Sequence, residues 1–113
     1  MADRHKLSHE FTGCQVIIPE AVDESRVLDW LEKLPKSVIR SKVLLTLNTE
    51  TDCRYLYERV GNIISPKPIK TRAIDKARCS GIFIGADLNP EKILHVAQEY
   101  LHPDCHFPES WIG

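Results

Sequence analysis

Two helical stretches, each bounded by proline, frame a block of strand-forming sequence, and that order leaves few folds open. In the first stretch Asp23 is placed to cap, and Val27, Trp30, Leu31 and Leu34 recur at spacings of three and four, with Leu28 widening the stripe. Pro35 ends it, having no amide hydrogen to donate. The second starts at Asn89-Pro90, a capping residue followed by a first-turn proline, carries Ile93, Ala97, Tyr100 and Leu101 on one face, and ends before Pro103. Between them, Val38–Leu47 is largely β-branched or aliphatic and Cys53–Val60 favours strand. Gly61-Asn62 then supplies the positive backbone angles of a tight turn into Ile63-Ile64. Gln15–Ile18, closed by Pro19, reads as a first strand. Cys79–Gly85 reads as a central strand covered on both faces. Ser65–Arg78, with Pro66 and Pro68, reads as a loop with a brief extended segment at Ile69. The predicted fold is α+β: a mixed, largely antiparallel sheet of four to five strands with two helices packed on one face.

A chain of 113 residues suits one domain. Residues 1–9 read as a flexible lead-in, 10–102 as the domain and 103–113 as a C-terminal tail, loose unless Phe107 and Trp111 dock on the body. Fifteen Lys and Arg against sixteen Asp and Glu leave a net charge of -1, which argues against a dedicated nucleic-acid binder. The longest apolar stretches, around Val43–Leu45 and Ile82–Ile84, fall far short of the roughly 20 residues that span a bilayer. The N-terminus has charge without an apolar run behind it, so no secretory signal is read and a cytoplasmic location is expected. Cys14, Cys53, Cys79 and Cys105 are scattered without a C-x-x-C pair and are expected to be reduced thiols, Cys79 buried beside a strand.

Several segments carry a resemblance. Trp30-Leu31, Leu34-Pro35 and Val38-Ile39-Arg40-Ser41-Lys42 resemble the "WL..LP..V.R.K" signature of the CobW C-terminal domain, found in cobalamin-synthesis and metallochaperone GTPases. Arg59-Val60-Gly61 resembles that family's hairpin. Ile82-Phe83-Ile84-Gly85 with Asp87-Leu88 resembles its "VFIG.DL" strand and helix entry. Val43 stands where the family usually has glycine, and the family's histidine-rich linker is reduced to His5 and His9. No G-x-x-x-x-G-K-[ST] phosphate loop and no C-x-C-C metal motif occurs in these residues, so GTP hydrolysis is not carried over. The resemblance implies a non-enzymatic accessory domain whose partners are the family's GTPase domain or a client metalloprotein receiving metal; charge balance and short apolar runs add the expectation of no nucleic acid and no membrane, and no cofactor of its own is expected.

Three groups of residues are candidates for contact or ligation. Arg40 and Lys42 alternate along one strand, so they project to the same face and are the first choice for a partner contact. Lys67, Lys70, Arg72, Lys76 and Arg78 form a cationic stretch relieved only by Asp75, suited to an acidic patch on a partner or to simple solvation. His102, Cys105 and His106 offer two imidazoles and a thiolate within five residues, a ligand set for Zn²⁺ or Co²⁺ needing one more donor, and the alternative reading of the chain is a small stand-alone metal-binding module built on them. No spacing of nucleophile and base favours catalysis.

Overall fold

The computed structural model describes residues 11–72 and 78–109. The elements are β1 (Phe11–Ile17), α1 (Glu24–Lys33), β2 (Val38–Leu47), β3 (Glu50–Val60), β4 (Ile63–Ile64), β5 (Ile69–Arg72), β6 (Ser80–Leu88) and α2 (Pro90–Tyr100). Six strands form one antiparallel sheet in the order β1-β6-β2-β3-β4, with β5 also paired to β3. β4 and β5 run back along the same edge of β3, at its two ends. Pro66 and Pro68 lie in the break between them, where the missing amide hydrogens interrupt the ladder. The extended segment expected at Ile69 is therefore a paired edge strand.

The helices begin as their capping residues dictate. The Asp23 carboxylate accepts from Ser25 N at 3.0 Å, and the Asn89 side chain accepts from Lys92 N at 3.2 Å with Pro90 in the first turn. α1 turns Val27, Trp30 and Leu31 inward, and α2 turns Ile93, Val96 and Ala97 inward. They meet the inner sheet face at Val16, Val43, Leu45 and Phe83, all fully buried. Each such side chain contributes about 1.5–3 kcal/mol by leaving water. The Trp30 ring stands edge-on to Phe83, centroids 6.1 Å apart and planes at 86°. Leu28 does not widen the buried stripe; it stays 51% exposed. Its side of α1 lies away from the sheet.

Two backbone details shape the signature segments. Gly85 passes so close to the chain before β2 that a β-carbon there would lie 2.0 Å from the Ser37 carbonyl oxygen. Asp87 takes a φ of 59°, a left-handed conformation that aspartate tolerates better than most residues. At the same end of the strands Gly61, at φ +61°, donates its amide to Ile39 O and makes the predicted hairpin turn.

The segment after α2 docks on the body. Ile17 N donates to His106 O at 2.7 Å and His106 N to Ile17 O at 3.2 Å, adding a bridge to the free edge of β1. Gln98 Nε2 donates to Cys105 O at 3.0 Å, Cys105 is buried, and Phe107 packs against the core. Trp111, His5 and His9 lie outside the described residues. Among the described residues no helix is long and apolar enough to cross a membrane.

Candidate functional site

Because both helices pack on one side, the other sheet face is open among the described residues, and the strand registers say which residues occupy it. Lys42 lies opposite Ile82 on one side and Glu58 on the other, Arg40 opposite Ile84 and Val60, and Leu44 opposite Ser80 and Leu56. Residues directly opposite share a face, so all of these point outward. Ile69 joins them through its pairing with Leu56. The result is an apolar face left in contact with water: Ile82 is 47% exposed, Ile84 45% and Ile69 59%. This corrects the expectation that β6 is covered on both faces. It is central, between β1 and β2, but only Gly81, Phe83, Gly85 and Leu88 are buried, while Ile82 and Ile84 are exposed. A shallow hollow of about 260 Å³ lies in this face, lined by Lys42, Leu44, Leu56, Arg78, Ser80 and Ile82.

The predicted contact residues divide between the two faces. Arg40 and Lys42 share the open face as their spacing requires, and Arg40 lies 4.0 Å from Glu58. Arg78, from the cationic stretch, also lines the hollow. Lys70 does not join them. It pairs with Tyr55, one residue out of step with Leu56 and Ile69, and so points to the opposite face, where its ammonium holds the Glu50 carboxylate. Lys67 is exposed on the loop before β5. Arg72 pairs through its backbone with Cys53, and Lys76 lies outside the described residues.

The tail ligands do not converge. His102 Nδ1 accepts from Asp104 N at 3.1 Å, while His106 Nδ1 is hydrogen-bonded to Phe107 O at 2.8 Å. Cys105 is buried, and burial pushes its thiol up to about 11. Among the described residues, the group whose ligand atoms all lie within 4.8 Å of one another is instead Glu50, Asp52 and Cys53. Sequence reading missed it because Glu50 is brought round by the β2–β3 turn. Its chemistry fits a cation poorly: Lys70 bonds one Glu50 oxygen and the Tyr55 hydroxyl donates to the other. Those two bonds, Lys70 foremost, hold the Glu50 carboxyl below its usual range. Desolvation, then Asp52 and Glu50, push the Cys53 thiol up. The cluster clasps β5 to β3.

Cys14 lies in the core, where burial pushes it up to about 11, away from the thiolate that a nucleophile requires. Cys79, expected buried, is half-buried just before β6, its sulfur 3.5 Å from Thr46 Oγ1.

Residues 11–99 match the family described as the cobalamin synthesis protein cobW C-terminal domain. The chain belongs to this family. Among curated proteins none matches the sequence significantly. The crystal structure of the Zn(II)-bound YjiA GTPase from E. coli has a similar fold, with a TM-score of 0.65 at 23% identity, covering 81% of this chain and 30% of that one. A Zn(II)-bound triple mutant of YjiA GTPase gives a TM-score of 0.62 at 22% identity over the same shares. The chain thus spans about 30% of the length of the GTPase it resembles.

Within this CobW C-terminal domain the signature residues have separable jobs. Trp30, Leu31, Leu34, Val38, Phe83 and Leu88 build the core. Arg59 is buried on the inner face, its guanidinium donating to Val38 O at 3.3 Å and tying β3 to the start of β2. Gly85 permits the Ser37 crossing. Arg40, Lys42, Val60, Ile82 and Ile84 are exposed, and all five lie on the open sheet face.

Proposed function

We propose that this chain is the non-enzymatic accessory domain of a CobW-like, GTP-dependent metallochaperone, acting in the cytoplasm by binding the GTPase domain of that family or the client protein that receives metal. The observation that carries the reading is the open face, where Ile82 and Ile84 remain nearly half exposed beside Arg40 and Lys42. An exposed apolar patch rimmed by charge is what a protein-binding surface requires, and among the described residues no element packs on it. The phosphate loop is absent from these residues, so nucleotide chemistry belongs to the partner. Arg40, Lys42 and Arg78 form the charged part of the contact. Lys67 contributes at most to long-range attraction, and Lys70 is committed to Glu50.

The test is a calorimetric titration of this chain with a purified CobW-type GTPase domain from the same genome. Reversing both charges, Arg40→Glu with Lys42→Glu, is expected to weaken binding about tenfold or more. The urea midpoint should hardly move, because both side chains are exposed and a surface ion pair such as Arg40–Glu58 contributes ~1 kcal/mol or less. Undiminished affinity would remove Arg40 and Lys42 from the contact.

A further inference from the structure

The hollow in the open face has a regular arrangement that specifies its occupant. Leu44 lies between Leu56 and Ser80 in the ladder, with Lys42 and Ile82 one step toward one end. Two residues beyond the last β2–β6 pair, Leu44 with Ser80, Arg78 falls level with Thr46, and these two residues also line a neighbouring depression together. Lys42 and Thr46 are four residues apart on a strand, so the two cation levels are ~13 Å apart at about 3.3 Å per residue. Leu44 and Leu56 lie midway, and Ile82 is level with Lys42. Among the described residues no ion pair is formed by Lys42 or Arg78, whereas Lys33, Arg40 and Lys70 each have a carboxylate.

We infer that this hollow receives an acidic amphipathic helix of a protein partner, with an aliphatic side chain seated on Leu44, Leu56 and Ile82 and carboxylates on Lys42 and Arg78. This rests on the reading that the open face binds protein. Residues i, i+4 and i+8 of a helix lie on one side and span ~12 Å, which matches the cation spacing. A helix also satisfies its own backbone groups, whereas an extended segment laid across a sheet face leaves its amides and carbonyls unpaired. A second copy packed face to face on this hollow fits badly, because Lys42 and Arg78 would meet the same cations of the other copy. RNA fits badly as well: β2, β3, β5 and β6 present only aliphatic, polar and charged side chains on this face, with no aromatic ring on which a base could stack.

The probes are three fluorescent alanine-based helical peptides, with Glu, Leu and Glu at i, i+4 and i+8, with Lys, Leu and Lys, and with Glu, Ser and Glu. Anisotropy is expected to show binding of the first alone, weakening as salt rises. Lys42→Glu or Arg78→Glu should reduce that affinity about tenfold. The double reversal should then accept the Lys-Leu-Lys peptide, which shows that the variant is folded and that charge selects the occupant. Equal binding of the acidic and basic peptides, indifference to both reversals, or preferential binding of a ten-nucleotide single-stranded RNA would overturn the inference. If the GTPase domain binds the open face while the acidic peptide does not, the occupant is wrong and the docking role stands. If neither binds, the docking role falls and takes this inference with it.

Discussion

Gly85→Ala is expected to destabilise the domain by about 3 kcal/mol, a large effect for the addition of one methyl group. The new β-carbon would lie 2.0 Å from the Ser37 carbonyl oxygen and 2.9 Å from Leu88 Cδ2. A side chain in that position could rotate away, but Ser37 presents backbone. Its successor, Val38, is held on both sides, donating to Pro35 O at 3.0 Å and paired with Gly85 itself in the ladder. Relief therefore requires the Pro35–Val38 crossing to lift, which opens the end of the β2–β6 pairing next to its irregularity between Val38 and Arg40. Urea unfolding measures this directly, and a midpoint equal to wild type would show that the crossing is looser than described.

Trp30→Ala is expected to cost about 4 kcal/mol, through lost apolar burial and the cavity left behind. Trp30 is wholly buried between the helices and the sheet, edge-on to Phe83. Trp30→Phe should be far milder, within about 1.5 kcal/mol. It keeps an aromatic edge for Phe83, and it removes an indole Nε1 that is buried without a protein acceptor. Such an orphaned donor costs about 1–3 kcal/mol, which offsets much of the lost area. Equal destabilisation by the two variants would mean that size alone matters at this position.

The readable parts of this fold are those set by local chemistry. The α1 stop at Pro35, the caps at Asp23 and Asn89, and the Gly61 turn each depend on neighbours within a few residues, and each is found where the residues require it. The shared face of Arg40 and Lys42 follows from strand parity alone. Non-local features were harder to read. β5 carries Lys70 and Arg72 beside Pro68, so its composition resembles a loop; it becomes a strand because β3 offers an edge and Glu50 a carboxylate. The Cys105 burial depends on Gln98 and on the β1 edge, neither of which leaves a periodic trace.

The open face was hidden for a different reason. Ile82-Phe83-Ile84 is an unbroken apolar run, and such a run looks the same whether a sheet is covered on one side or on both. Only the placement of both helices against Phe83 and its inner neighbours reveals that Ile82 and Ile84 face water. The excess apolar surface that misleads the strand reading is also the best indication of where a partner binds.

The central claim, that this domain works through its open sheet face, is tested most directly by mapping the complex. Amide resonances of the ¹⁵N-labelled chain would be followed while the CobW-type GTPase domain is added to saturation. The account predicts that perturbed residues cluster at Arg40, Lys42, Leu44, Leu56, Ile82 and Ile84, with the exposed sides of α1 and α2 unchanged. Perturbations confined to those helix surfaces would contradict it.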